Sequence, residues 1–110
     1  MKVRFNGVNE LKIALKEKAD MNAVKRVVKQ NGAEMQAAAQ RNAPVDTGTL
    51  KRSIRLEIAD GGLTAKVEAT AEYAPYVEWG TRHMDARPYV KPAFHVQKEQ
   101  FKRDMERLAR

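Results

Sequence analysis

The sequence predicts an α+β fold: a small antiparallel sheet with a central β-hairpin, packed against a long helix in the N-terminal half and a C-terminal helix. Two observations predict it. Apolar and polar residues alternate over 54–59 and 63–70, on either side of Asp60-Gly61-Gly62, as in a hairpin with one buried face. Apolar residues recur at helical spacing in two other segments. The 110 residues fit one domain over 1–110.

The chain begins with a predicted strand. Residues 2–5 alternate polar and apolar side chains and run into Asn6-Gly7, which is a turn signal. Asn9 can cap a helix, so a short helix is expected next. Its apolar residues are Leu11, Ile13, Ala14 and Leu15.

A long helix is predicted from Asp20 or Asn22, each of which can cap a helix N-terminus. Its apolar stripe consists of Val24, Val28, Met35, Ala38 and Ala39. Gly32 interrupts the helix at a cost of ~1 kcal/mol relative to alanine. It marks either a kink or a close approach of another backbone. Pro44 ends the helix, because the residue before a proline disfavours α geometry.

The C-terminal helix is predicted to begin near Pro92, since proline fits the first turn of a helix. Its apolar stripe consists of Phe94, Phe101, Met105 and Leu108, with most of the charged residues off that stripe. No apolar run reaches the ~18–20 residues that span a bilayer, so no membrane association is predicted. The chain has no cysteine, which excludes disulfides and thiol chemistry.

The formal net charge of +7 is concentrated in the first half of the chain. Residues 1–55 contain twelve lysines and arginines against five acidic residues, whereas residues 56–110 contain nine of each. A basic face of this kind attracts nucleic acid or an acidic protein surface. The alternative interpretation is that these cations lie on a solvent-exposed helix face and bind no partner.

The candidate groups for chemistry do not form a recognisable site. The two histidines, His83 and His95, lie apart, and a metal site needs three or four convergent ligands. Ser53 is the only serine and belongs to no nucleophile motif, and the single glycine of 45–53 does not make a phosphate-binding loop. A catalytic triad is defined by spatial geometry, so the sequence leaves one open. These groups predict no catalytic residue, no metal ligand and no cofactor.

The stretch from Tyr73 to Trp79 contains two tyrosines and the only tryptophan. Aromatic rings near a basic protein surface could stack nucleic-acid bases. However, Tyr73, Tyr76 and Trp79 are spaced by three residues and lie in the charge-neutral half. This spacing favours one face of a short helix that packs on the sheet or docks on another protein.

Three motifs follow one another between residues 43 and 93. The first includes Ala43, Pro44, Asp46, Thr47, Gly48, Leu50 and Ser53. The second includes Tyr73, Tyr76, Glu78, Trp79, Gly80 and Thr81, and the third includes Ala86, Arg87, Pro88, Tyr89, Pro92 and Ala93. In order and spacing they resemble the tail-component family of long-tailed bacteriophages and prophages, whose members are often described as tail-completion or head–tail joining proteins.

The resemblance implies a non-enzymatic virion assembly protein at the tail end or the head–tail junction, synthesised in the cytoplasm of the bacterial host. It also implies a ring-shaped homo-oligomer, with a hexamer as the expected size, that contacts other connector or tail proteins. A basic lumen could then contact DNA without sequence preference. The alternative is a small basic nucleic-acid-binding regulator, and a weaker third class is a hydrolase of unknown type.

The motif residues also have expected structural roles. Asp46 and Thr47 can accept hydrogen bonds from the free N–H groups at the start of a short helix. Gly80 is expected to cap a helix in the left-handed conformation. Arg87 is expected to pair with Glu78 or with Asp46 and so link the motifs.

Two of the side chains in this region carry a stability expectation. Trp79 is expected to be a buried ring, so truncating it to alanine should cost ~3–5 kcal/mol. His83 is expected to lie on the surface, where a substitution costs little.

Overall fold

The computed structural model describes residues 2–6, 10–14, 20–44 and 48–108 and confirms the α+β fold. The elements are β1 (Lys2–Asn6), β2 (Glu10–Ala14), α1 (Met21–Asn42), α2 (Thr49–Arg52), β3 (Ile54–Ala59), β4 (Thr64–Ala69), α3 (Ala74–Trp79) and α4 (Val90–Leu108). A 3-10 turn, Asp60–Gly62, joins β3 to β4. None of the helices in the described ranges combines the length and apolar character that crossing a membrane requires.

The four strands form one sheet in the order β1-β2-β4-β3, and every neighbouring pair is antiparallel. The predicted hairpin is present: Leu56 pairs with Val67 and Ile58 pairs with Ala65. Ala65 and Val67 are fully buried, as the alternation predicted. Ile58 differs from the prediction because 41% of it is exposed, although it lies on the same face.

The prediction of a short helix over 9–15 is wrong for the part that the structure describes, because residues 10–14 form strand β2. Leu11 and Ile13 also fit the two-residue period of a strand, and a segment this short is assigned by its neighbours. In the fold, Ile13 pairs with Val3 of β1 and Leu11 pairs with Ala65 of β4. Asn9 and Leu15 lie outside the described residues.

Helix α1 begins and ends where the sequence predicted. The carboxylate of Asp20 accepts hydrogen bonds from the N–H groups of Asn22 and Ala23, at 3.1 and 3.3 Å. These bonds satisfy two of the free donors in the first turn. The helix ends at Asn42, and Ala43 is extended immediately before Pro44. The predicted stripe faces the core: Val24, Val28, Met35 and Ala39 are buried and Ala38 is partly buried.

Gly32 marks a close approach between α1 and the sheet, which is the second of the two predicted possibilities. A Cβ atom on Gly32 would lie 2.8 Å from the Cβ of Ala65 and 2.9 Å from the Cδ1 of Leu56. Helix α1 continues through this position without interruption. The missing side chain therefore allows the helix to rest directly on β3 and β4.

Helix α4 runs antiparallel to α1 and begins at Val90, two residues before Pro92. Phe94, Phe101 and Met105 are buried as predicted, whereas 37% of Leu108 is exposed. The contact between the two helices also contains polar side chains. The fully buried Asn31 accepts a hydrogen bond from Gln97 and donates one of 3.0 Å to Asp104.

Candidate interaction site around helix α3

Helix α3 places its aromatic residues outward and its acidic residue inward. Tyr73, Tyr76 and Trp79 are 42, 57 and 59% exposed. Ala74 and Glu78 are buried beneath them. The expectation that the rings pack on the sheet and that Trp79 is buried is therefore wrong. The physical reason is that the Glu78 carboxylate accepts hydrogen bonds from backbone N–H groups on the inner face of this short helix, and the rings lie on the outer face.

Glu78 caps the N-terminus of α4 from a different helix. Its Oε1 atom accepts hydrogen bonds from the N–H groups of Tyr89 and Val90, at 3.3 and 2.9 Å, and its Oε2 atom accepts one of 3.3 Å from the N–H of Lys91. The first N–H groups of a helix have no partner within the helix, and the helix dipole favours a negative charge beside them. These contacts explain how a carboxylate can be buried here.

Gly80 ends α3 in a conformation that requires glycine. Its N–H donates to the carbonyl of Tyr76 at 2.9 Å, and its φ and ψ are 79° and 176°. The positive φ was predicted, but the ψ value lies outside the left-handed helical region that a helix cap usually adopts. A Cβ atom here would lie 2.8 Å from the backbone nitrogen of Ala86 and 3.0 Å from the carbonyl oxygen of Met84.

A tight turn follows Gly80. The N–H of Thr81 donates to the carbonyl of Met84 at 2.8 Å, and the N–H of Met84 donates back at 3.3 Å. The hydroxyl of Thr81 accepts a further hydrogen bond of 3.1 Å from the N–H of His83. All residues of 81–88 are exposed, so the turn forms a protruding loop beside the aromatic rings.

Arg87 links the motifs through its backbone rather than through its side chain. Its N–H donates to the carbonyl of Val77 at 2.8 Å. Within the described part of the chain, the Arg87 side chain forms no ion pair with Glu78, whose carboxylate is occupied by the N-terminus of α4. The alternative partner, Asp46, lies outside the described residues. The proposed pairing with Glu78 is therefore wrong.

Tyr89 is the buried ring of this region, with 1% of its surface exposed. Its hydroxyl donates to the carbonyl of Ala74 at 3.4 Å, and its own carbonyl accepts a hydrogen bond of 3.3 Å from the side chain of Asn42. Burial, with smaller contributions from the negative charge of Glu78 and from Tyr73, raises the pKa of Tyr89 to about 12. Tyr89 therefore joins the end of α1 to α3 and α4.

Residues 49–52 of the first motif form the short helix α2, which contacts α1 and β3. Leu50 is buried, and the hydroxyl of Ser53 donates to its carbonyl at 2.7 Å. Gly48 precedes α2 in the left-handed conformation, with a φ of 76°. Asp46 and Thr47 lie outside the described residues, so their capping roles stay predictions. Pro44 is half-buried at the end of α1.

A shallow groove of about 260 Å³ separates α3 from the end of β4. Its lining residues are Val67, Glu68, Ala69, Ala74, Pro75, Glu78, Trp79, Tyr89 and Val90. The ammonium group of Lys91 lies 5.7 Å from the centre of the Trp79 ring. The sequence analysis did not identify Glu68 or Lys91 as site residues, because neither belongs to a recognisable motif and only the fold brings them beside Trp79.

Both histidines, His83 and His95, are exposed. Within the described ranges, no group of three or more histidine, aspartate or glutamate side chains is arranged to hold a metal ion. The pattern of the site is apolar and aromatic, with a charged rim. Such a surface is suited to contact with another protein.

The chain matches a model of a known protein family. The family model described as "Bacteriophage HK97-gp10, putative tail-component" matches residues 9–80, a span that includes the first motif and all of α3. No curated protein and no solved structure gives a significant match. The family model covers well over half of the 110 residues. The chain therefore belongs to the HK97-gp10-like family of bacteriophage tail components.

Proposed function

We propose that this tail component completes the phage tail or joins it to the head, acting in the virion as a ring-shaped oligomer. Membership of a tail-component family supports a place among the proteins of the particle. The observation that carries the finer proposal is the exposed aromatic face of Tyr73, Tyr76 and Trp79. Large aromatic residues supply much of the binding energy in protein interfaces.

The rigidity of the support strengthens this proposal. Two hydrogen bonds hold α3 beneath the aromatic face: the carboxylate of Glu78 accepts from the N-terminus of α4, and the carbonyl of Val77 accepts from the N–H of Arg87. A surface that is already ordered loses little conformational entropy on binding. The three rings are therefore well placed to act as anchors for a neighbouring protein.

We propose an assembly role without catalysis. The ionisable groups at the centre of the site have structural partners: Glu78 caps α4, and Tyr89 donates to the carbonyl of Ala74. The partners that this role requires are other connector or tail proteins and further copies of this chain.

A contact with DNA has support from α1. Lys25, Arg26 and Lys29 are exposed on its outer face. In a ring around the DNA path, these cations would contact phosphates without reading sequence, and the binding would weaken as salt rises. The same cations would serve the alternative function of a small nucleic-acid-binding regulator.

Deletion of the gene from its phage or prophage tests the proposal. We expect filled heads and tails that fail to join, or tails with abnormal ends or length, when the lysate is viewed by electron microscopy. Phage DNA and proteins should accumulate to normal levels. Normal infectious particles would contradict the assembly role, and a block before any particle part forms would favour the regulator.

Complementation of the deletion gives a sharper version of this test. A plasmid copy carrying Trp79→Ala should fail to restore infectious particles if the aromatic face binds a neighbour. Val96→Ala is the matched control, because Val96 is also an exposed apolar residue, at 72%, but lies on α4 away from the groove. Equal complementation by the two variants would argue against the aromatic face as the binding surface.

A further inference from the structure

We propose that the outer edge of strand β3 binds an extended, acidic segment of another protein of the phage particle, which joins the sheet as a further strand. The open edge, as we call this surface, consists of the outward-facing backbone groups of Leu56 and Ile58 and the side chains of Lys25 and Lys29 of α1. None of these residues belongs to the aromatic face. The inference therefore goes beyond the proposed function and adds a second contact to it.

Strand β3 is the last strand of the sheet, whose order is β1-β2-β4-β3. Its pairing with β4 decides which backbone groups point outward. The N–H of Thr70 donates to the carbonyl of Ser53 at 3.0 Å, and this bonded pair continues the register of the two strands. Alternate residues of an antiparallel strand bond to opposite sides. The backbone groups of Leu56 and Ile58 therefore point away from β4.

A hydrogen bond at the start of β3 confirms this direction. The carbonyl of Ile54, which has the same parity as Leu56 and Ile58, accepts a hydrogen bond of 3.0 Å from the side chain of Gln36. No described residue bonds to the N–H or carbonyl groups of Leu56 and Ile58. Unpaired backbone groups on a strand edge are a template for the addition of an extended segment.

Ile58 gives the open edge an apolar component. It lies on the face of the sheet that α1 covers, yet 41% of it is exposed, whereas Leu56 is partly buried against the core. A strand added beside β3 would place alternate side chains on this same face and so cover Ile58. The added strand would thus complete the apolar layer at the point where the domain leaves it open.

Two lysines of α1 lie along the open edge. The side chain of Lys25 lies against the β3–β4 turn, because a Cβ atom on Gly62 would be 2.8 Å from its Cγ. Gln36 reaches the other end of β3. Positions 25, 29 and 36 fall within about 40° of one another around a helix, so Lys29 lies on the same side of α1. From Gln36, the seven residues to Lys29 span about 10 Å, against about 13 Å for the four residues that bring β3 to Ile58.

The charge on the α1 side of the open edge is positive. Lys25 and Lys29 are exposed, and neither forms an ion pair with a described residue. Residues 21–33 of α1 contain no acidic residue. The first one, Glu34, accepts a hydrogen bond from Gln97 of α4 and so lies on the other side of the helix.

The acidic residues of the β3 hairpin do not cancel this charge. Glu57 has the opposite parity to Ile58 and therefore lies on the other face of the sheet, where Lys66 is opposite it in the register. Asp60, in the turn, accepts a hydrogen bond from the hydroxyl of Thr64. Carboxylates on the incoming segment would therefore meet uncompensated cations, which favours binding and fixes its orientation.

The combination of these features favours a protein segment over DNA. The lysines alone would attract phosphates as well as carboxylates. However, DNA has no peptide groups to pair with Leu56 and Ile58, and its backbone offers no apolar side chain to cover Ile58. An extended segment that carries both acidic and apolar residues satisfies the backbone groups, the exposed isoleucine and the lysines together.

Hydrogen exchange tests whether the open edge is occupied in the particle. In the free protein, the amides of Leu56 and Ile58 should exchange fast, whereas those of Arg55 and Glu57, which bond to β4, should exchange slowly. In purified particles, we expect the first two amides to slow by at least about tenfold and the second two to stay slow. Fast exchange of Leu56 and Ile58 in particles that contain the protein would overturn the proposal.

A proline on the edge tests whether the backbone contact is required. Ile58→Pro removes an N–H group that does not bond to β4, and proline is tolerated on edge strands, so the fold should survive. Ile58→Thr is the matched control, because it keeps the N–H group and a β-branched side chain. When the gene deletion is complemented, Ile58→Pro should lose infectious particles and Ile58→Thr should restore them. Circular dichroism checks that both variants fold.

A charge reversal on α1 tests the same surface without altering β3. Lys29→Glu should lower the yield of infectious particles, whereas Lys102→Glu, at an exposed lysine of α4, should not. This pair decides the outcome if Ile58→Pro does not fold, and equal yields from the two variants would then contradict the proposal. Loss of particles with Lys29→Glu but normal particles with a folded Ile58→Pro would assign the lysines to DNA and overturn the added strand.

Cross-linking identifies the occupant. The chain has no cysteine, so Ile58→Cys introduces a single site for a maleimide that carries a benzophenone. After irradiation of assembled particles, mass spectrometry should find position 58 linked to another protein, in a segment with more acidic than basic residues. A link to a second copy of this chain, to DNA or to a basic segment would overturn the proposal. Particles that lack the protein would instead contradict the proposed function, and with it the class of partner named here.

Discussion

The carboxylate of Glu78 accepts a hydrogen bond of 2.9 Å from the N–H of Val90, so that a side chain of α3 caps the N-terminus of α4. Glu78 and Ala74 are the buried residues of α3, so this contact lies on its inner face and leaves Tyr76 and Trp79 exposed. The cap therefore accounts for the exposure of Tyr76 and Trp79. A structural requirement inside the domain thus produces the surface to which we assign binding.

Replacing Glu78 with alanine should destabilise the domain by about 1–3 kcal/mol, because three N–H groups at the start of α4 lose their buried acceptor. Urea unfolding measures this change. Glu72→Ala is the control: Glu72 is exposed, and its loss should change stability by less than about 0.5 kcal/mol. Equal losses in the two variants would show that the cap contributes nothing.

Gly80→Ala should cost at least about 3 kcal/mol, because the new Cβ atom combines an unfavourable φ of 79° with a contact of 2.8 Å to the backbone of Ala86. Gly61→Ala separates the two effects. Gly61 also has a positive φ, of 65°, but nothing lies within 4 Å of the added atom, so its cost should stay near about 1 kcal/mol. Melting temperatures of the two variants give the comparison. A Gly61→Ala loss as large as that of Gly80→Ala would rule out the clash.

Trp79→Ala should leave the free energy of unfolding within about 1 kcal/mol of the wild type, since the residue is 59% exposed and its ring lies against the exposed end of the Lys91 side chain rather than in the core. Phe101→Ala is the comparison for a fully buried ring and should cost about 3–5 kcal/mol. Denaturant unfolding of both variants tests the ranking. A large loss in Trp79→Ala would mean that the ring is packed in the folded protein after all.

The parts of the fold that the sequence predicted are those with a strong local signal. The β3–β4 hairpin has two alternating runs around Asp60-Gly61-Gly62, and α1 has both a capping Asp20 and a stop at Pro44. Strand β2 has neither. Residues 10–14 fit a strand or a helix equally well, and only pairing with β1 and β4 decides between them.

The position of these motif residues in the fold was predicted, but the orientation of their side chains was not. The motif around Glu78, Trp79 and Gly80 was correctly placed at a helix end. Hydrophobicity alone predicts that Trp79 turns inward and Glu78 outward, and the fold reverses both. The reason is a contact between residues eleven and twelve positions apart, from Glu78 to Tyr89 and Val90, which no periodicity within α3 can reveal.

The stability of the protein should fall as the pH rises above 10, partly through Tyr89. Its pKa is about 12 in the folded protein, against about 10 for an unperturbed tyrosine in the unfolded chain. The neutral hydroxyl is thus favoured by folding. Its contribution is complete below pH 10 and is lost between pH 10 and 12, by at most about 3 kcal/mol.

Tyr89→Phe tests this linkage. The variant loses the hydrogen bond to Ala74 at every pH, but it should show a smaller decrease in stability between pH 10 and 12 than the wild type. Urea unfolding at several pH values between 8 and 12 measures the two slopes. Identical slopes would mean that Tyr89 does not titrate with a raised pKa.

The buried pair Asn31 and Gln97 should be energetically coupled. Asn31 is fully buried and also bonds to Asp104 and to the carbonyl of Val27, so Asn31→Ala leaves polar groups without partners and should cost about 1–3 kcal/mol. Gln97→Ala should cost a similar amount, because Gln97 also donates to Glu34 at 2.9 Å.

Once either Asn31 or Gln97 has been replaced, the hydrogen bond between them is already lost, so replacing the other residue costs less. The double variant should therefore be more stable than the sum of the single losses predicts, by about 0.5–3 kcal/mol. Gln30→Ala, at the exposed rim of α1, is the control and should change stability by less than about 0.5 kcal/mol. A double-mutant cycle by urea unfolding decides the matter: strictly additive losses would mean that this polar layer is a set of independent contacts and does not fix how α4 packs on α1.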